Sequence, residues 1–168
     1  MKHFSVLGIV VLLAVGVRGQ RGVQGAFGTG GRVPGQVISA RPSCSRHASS
    51  GGVRLELTGV YIDSSLLWFV FRGTNGSAID FRAGGMRFAF KERRALKRRA
   101  LQELRLVPVV RLEAPVVRSD SAVRLYYGLV PRVPSTRQEL VIEWVERNGD
   151  RRMQLHVPAR ILLTARRL

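Results

Sequence analysis

VRLELTGVYI, residues Val53–Ile62, and LLWFVF, residues Leu66–Phe71, decide the fold class. In the first, Val53, Leu55, Leu57, Gly59 and Tyr61 alternate with Arg54, Glu56, Thr58, Val60 and Ile62. That period of two places the first set on one face of a half-buried strand. The second is apolar without interruption and rich in aromatic and β-branched residues, which suits a central strand covered on both faces. Asp63 and Ser64 supply the turn between them, so the two predict a hairpin.

Outward from this hairpin the pattern repeats. Beyond the turn residues Gly73, Thr74, Asn75, Gly76 and Ser77, the residues Met86, Phe88 and Phe90 alternate with Arg87 and Ala89, predicting a third strand that extends back towards Ile79. Further runs follow at Leu104–Val110, Val123–Val130, Glu139–Glu146, Met153–Val157 and Ile161–Leu163. In the run from Glu139, the residues Leu140, Ile142 and Trp144 share one face and Glu139 and Glu143 the other. Asn148 and Gly149 predict a type I′ hairpin turn, which needs positive φ at both centres. Short, regularly spaced strands with turn residues between them predict an all-β fold, an antiparallel β-sandwich of immunoglobulin-like kind over residues 53–168. Trp68, Phe69, Phe88 and Trp144 are its expected core. Arg93–Glu103 is the one stretch that competes for a helix, but Leu96 and Leu101 are too sparse to define an apolar face, and a hairpin or loop fits it better.

Upstream, Met1, Lys2 and His3 precede an apolar run from Phe4 to Val15 and then small and polar residues. This is the layout of a secretory signal peptide, assigned here to residues 1–19: Gly19 with Val17 or Gly16 with Ala14 fits the small-residue cleavage rule, the bond after Gly19 is preferred, and the layout predicts export. Residues 20–52 are rich in Gly and Ser, carry Arg21, Arg32, Arg41 and Arg46 and hold no acidic residue. They follow neither hydrophobic period, so they read as a flexible basic linker.

The chain of 168 residues has room for one ordinary domain, and a 45% hydrophobic composition can fill a core. Its net charge of +17 favours anionic partners such as nucleic acid, acidic lipid or wall polymer. Nearly all of the 28 basic residues are Arg. A single cysteine, Cys44, excludes an intramolecular disulfide and a Cys-based zinc site, and His3, His47 and His156 are scattered. No cofactor or metal is expected.

The densest charge lies at Lys91, Arg93, Arg94, Lys97, Arg98 and Arg99, relieved only by Glu92. Closely spaced guanidinium groups engage carboxylates or phosphates in pairs, so these six are the candidate partner- or anion-contacting residues. The run lacks the interleaved aromatics of a single-strand stacking platform. Catalytic readings are weaker. Glu56 with Asp63, or Glu143 with Glu146, offer paired carboxylates for acid–base work, but on a strand Glu143 and Glu146 point to opposite faces and lie beside arginines that leave them ordinary surface ions. Ser43, Cys44 and His47 lie in the linker, with nothing in the pattern to fix a nucleophile against a base. Gly28, Gly30 and Gly31 lack the strand and the GK[ST] ending of a phosphate loop. An enzyme is not expected.

Three stretches resemble the TraN family of Bacteroidetes conjugative transposons. They are LTGVYIDSSLLWFVFRGTNGSAIDF (Leu57–Phe81, with Tyr61, Ile62, Asn75, Ile79 and Asp80), MRFAFKERRALKRRALQELRLVPV (Met86–Val109) and LVIEWVERNGDRRMQLHV (Leu140–Val157). Where the family pattern has an acidic residue followed by lysines, this chain has Lys91 and Glu92. The resemblance implies a non-enzymatic subunit of a conjugative, type IV secretion-like apparatus, exported to the periplasm or the periplasmic face of the outer membrane. Its implied partners are other conjugation proteins, with room for a homo-oligomer inside a larger assembly and no small-molecule substrate. The alternative from charge alone is an exported polyanion-binding module for DNA, lipopolysaccharide or wall polymer.

Overall fold

The alternation beginning at Val53 forms a ten-residue strand, and the apolar run after it pairs back antiparallel. The structure is a computed structural model and describes residues 27–28, 32–63, 65–93, 103–135 and 137–168. The expected signal peptide lies outside the described residues. In chain order the elements are β1 (Phe27–Gly28), α1 (Gly35–Ser39), β2 (Arg46–Ser50), β3 (Val53–Ile62), β4 (Leu67–Asn75), β5 (Phe81–Glu92) and β6 (Leu104–Leu106). There follow β7 (Val110–Glu113), β8 (Val116–Val117), β9 (Ser121–Leu129), β10 (Gln138–Glu146), β11 (Arg152–Pro158), α2 (Ala159–Leu163) and β12 (Arg166–Arg167).

The strands build two sheets, as the pattern predicts for a sandwich. The larger has the order β1-β7-β9-β4-β3-β12, with β2 also on β3, and the smaller has the order β11-β10-β5-β6, with β8 also on β5. Every pairing is antiparallel except that of β12 with β3. Between the sheets Leu55, Leu57, Phe69 and Phe71 meet Phe88, Leu140, Ile142 and Trp144 in one apolar core. The Phe88 ring sits 5.6 Å from Phe69 and 5.2 Å from Tyr127, centroid to centroid, which locks the two layers through tilted aromatic contacts. Trp68, Phe69, Phe88 and Trp144 are all buried, as expected.

The strict alternation of β3 breaks at Thr58. Leu57 pairs with Phe71 but Gly59 pairs with Val70, so Thr58 is an extra residue, a β-bulge. Val60 therefore joins Leu55 and Leu57 in the core, and Tyr61, expected on that same face, turns to the outer one. There it meets Trp68, Val70 and Tyr126, and all of them pack with Val33 and Val37. Over residues 32–52 this corrects the linker expected over 20–52: α1 covers the outer face of the large sheet, Val37 is 1% exposed, and β2 pairs with β3 across five residues. The Gly-rich composition masked it because only two apolar side chains are needed to cover that face. Gly51 and Gly52, at φ 55° and 78°, supply the two positive-φ residues of the β2–β3 hairpin loop.

Other expectations shift for local reasons. The run Leu104–Val110 divides into β6 and β7 around Pro108, which has no N–H for a ladder, and the chain passes there from the small sheet to the large one. Ile161–Leu163, expected as a strand, lies in α2: Pro158 ends the ladder and starts the turn, and Leu162 tucks into the core. β5 starts at Phe81, while Ile79 is 71% exposed in the bend before it. The Asn148–Gly149 hairpin forms between β10 and β11, but Glu146 N–H bonds Arg151 O across a four-residue loop in which only Asn148, at φ 60°, has positive φ.

Candidate functional site

The basic run begins at the end of β5, where Lys91 lies in the strand and Arg93 directly follows it. Pairing of Lys91 with Glu139 and of Phe90 with Leu104 brings three chain segments together at this end of the small sheet. Lys91 Nζ lies 3.5 Å from Glu103 Oε2, and Arg93 Nε lies 3.9 Å from Glu139 Oε2. Glu139 Oε1 also meets His156 Nδ1 at 2.8 Å, on the exposed face of β11. Two members of the candidate cluster are thus matched by carboxylates of their own chain. Such partly exposed pairs hold geometry more than they add stability. Arg94, Lys97, Arg98 and Arg99 lie outside the described residues.

Beside this basic end runs an apolar groove of about 200 Å³, lined by Leu104, Arg105, Leu106, Val107, Leu129, Val130 and Arg132. Val107 is 81% and Val130 63% exposed, too much for side chains the fold itself needs. Nothing in the strand pattern singled these residues out. The available signal was the valines set among Pro108, Pro131 and Pro134, apolar residues where a ladder cannot continue.

The opposite end of the small sheet is closed by a polar network. Arg151 donates to both oxygens of Glu146, to Ser77 Oγ at 3.1 Å and to Asp80 O at 2.8 Å, and its guanidinium stands 5.3 Å over the Phe81 ring. Buried Asn75 donates to Ile79 O and Val117 O and accepts from Ser77. Glu146 is not the ordinary surface ion that was expected. The Arg151 hydrogen bonds, working against burial, hold its carboxyl below the usual range. Asp63 is likewise a structural group. Burial opposes its charge, but the Ser65 and Leu66 amides and the Trp68 indole N–H, 2.8 Å from Oδ2, outweigh it and lower its pKa.

The other sequence candidates separate. Ser43 accepts from Val60 N–H, and the Cys44 thiol points towards Leu57 O at 3.8 Å, where burial raises its pKa. His47 is exposed on β2, opposite Glu56 of β3. Among the described residues no group of three or more His, Cys, Asp or Glu side chains is placed to hold a metal ion. No described helix is long and apolar enough to cross a membrane.

Residues 36–167 match the family model described as a domain of unknown function, DUF4138. The chain belongs to the DUF4138 family. No curated protein and no solved structure matches it. The DUF4138 match begins inside α1 and ends in β12, so it takes in the segment that first read as linker. Composition alone placed the boundary at 53; the family match and the packing of Val37 both place it earlier. Within the DUF4138 unit the groove and the basic end adjoin each other at the β6 edge of the small sheet.

Proposed function

We propose that this DUF4138 chain is a non-enzymatic structural subunit of a conjugative, type IV secretion-like apparatus in the bacterial envelope, of the TraN kind, docking to other subunits through its sandwich. The observation that carries the reading is that Lys91 and Arg93 stand beside an exposed apolar groove at a sheet edge that no strand pairs with among the described residues. Apolar surface rimmed by charge is what a protein partner recognises, whereas a polyanion needs only charge. The three stretches resembling TraN and the leader-like start support the same assignment and an exported location. Lys91 and Arg93 already face Glu103 and Glu139, which supports a shaped interface over a bare cationic patch.

The net charge of +17 favours the second reading, an exported polyanion binder. A pull-down from envelope extract separates the two at about physiological ionic strength, where the Debye length is roughly 8 Å and diffuse attraction is screened. A discrete conjugation-protein partner is expected to stay bound, and to be lost when Arg93, Arg94, Arg98 and Arg99 are changed to Glu. Recovery of nucleic acid or wall polymer alone, with affinity falling steeply with salt, replaces the assembly reading with the second.

A further inference from the structure

We propose that, within the assembly reading above, the groove beside β6 receives an extended, acidic segment of another protein, which adds to β6 as a further strand of the small sheet. β6 pairs with β5 on one side, and among the described residues no strand pairs with its other side. The opposite edge strand of that sheet, β11, lies against β2, so the two edges are not equivalent. An unpaired edge presents a row of backbone donors and acceptors and is a template for strand addition. Here the template borders an apolar trough: Leu104, Val107 and Val130 line it, and all three are exposed. At about 200 Å³ the trough is smaller than the roughly 300–1,000 Å³ of small-molecule sites, and it suits alternate side chains of a strand rather than a cofactor.

Charge selects the occupant. The Arg105 side chain is 86% exposed on β6, with Nε 3.6 Å from Glu103 Oε1, and Arg132 at the rim has no ion-pair partner among the described residues. A second copy would bring another chain of net charge +17 to this rim, and the chain's own residues 20–52 hold arginines and no carboxylate. Both meet like charge, which costs affinity and slows encounter. A segment with apolar residues at alternate positions and acidic residues between them satisfies the edge, the trough and the rim together.

The test measures binding of the full chain to a labelled ten-residue peptide of alternating Val and Glu at about physiological ionic strength. Two companions carry the same charge: one with Ser for every Val, and one N-methylated at alternate amides so that it cannot complete a ladder. Both are expected to bind at least about tenfold more weakly, the step worth 1.4 kcal/mol. The Val107→Ser/Val130→Ser double variant, unchanged in charge and altered only at exposed sites, is expected to lose affinity for the parent peptide alike while melting normally. Equal binding of all three peptides, or none of the parent peptide, overturns the proposal. So does a dimer that the double variant disperses, which makes the occupant a second copy. Binding that appears only after Leu96→Ser/Leu101→Ser also overturns it, because the chain's own connection then fills the groove. If the peptide binds as expected and envelope extract yields no partner, the groove stands and the assembly reading falls. If an envelope partner is recovered equally by the double variant, the assembly reading stands and the groove proposal falls.

Discussion

Trp144 of β10 reaches across the sandwich to the backbone of Gly73 in β4: a Cβ on that glycine would stand 2.7 Å from the indole Cη2. The smaller sheet thus touches the larger one at a point where no side chain intervenes. On its own side the indole packs against Phe81, with centroids 4.4 Å apart. Layer spacing at this end of the molecule is therefore set by one large and one absent side chain.

Trp144→Ala is expected to cost about 3–5 kcal/mol, as for other buried aromatics, and Gly73→Ala to destabilise by forcing the indole aside. Because the two changes act on one contact, the double variant should be more stable than the sum of the single effects implies. Urea denaturation of the four proteins checks this. Strict additivity would mean that the contact does not hold the sheets at their spacing.

Val37 is buried against Trp68 and Tyr61, whereas its neighbour Ile38 is 46% exposed. Val37→Asp should lower the melting temperature and move tryptophan emission to the red, since burying a Val is worth about 1.5–3 kcal/mol and the substituted carboxylate cannot remain there. Ile38→Asp should leave both unchanged. Identical behaviour of the two variants would return this segment to the status of a linker.

The Tyr127 hydroxyl is buried without a hydrogen-bond partner, and burial, aided by the Glu113 charge, pushes its pKa well above the usual phenol value. An enclosed, unpaired hydroxyl carries a desolvation cost of about 1–3 kcal/mol. Tyr127→Phe keeps the ring contacts with Phe71 and Phe88 and should melt at the same temperature or higher. A clear loss of stability by calorimetry would show that the hydroxyl contributes to the fold.

Glu146 has its folded pKa below the unfolded value of about 4.3, so its contribution to stability is present above that pH and is lost as pH falls through the folded value. Glu146→Gln should therefore be less stable than the parent at neutral pH, with the two melting temperatures converging as the solution is acidified below about pH 4. Asp63 shifts in the same direction and will leave the variant some acid sensitivity of its own. A gap between parent and variant that stays constant from neutral to acid pH would exclude the Arg151–Glu146 pair as its source.

The residues that alternate or run apolar by themselves were legible in order: Val53–Leu57, Leu67–Phe71, Phe88–Phe90 and Leu140–Trp144 specify strands and a two-layer core, because a side chain's face in a ladder follows from its position alone. The candidate site was legible only in part. Charge density singled out the run from Lys91, but the carboxylates at Glu103 and Glu139 that meet it come from other strands, and no spacing rule links them. The groove was not legible, since Val107 and Val130 are ordinary residues until folding sets them side by side at an edge. Tertiary structure alone decided where Tyr61 points, because one extra residue at Thr58 reverses every face after it. It alone decided that Val33 and Val37 belong to the fold: two valines in a Gly-rich stretch show no period, and they become core only when a sheet offers Trp68 and Tyr126 on its outer face.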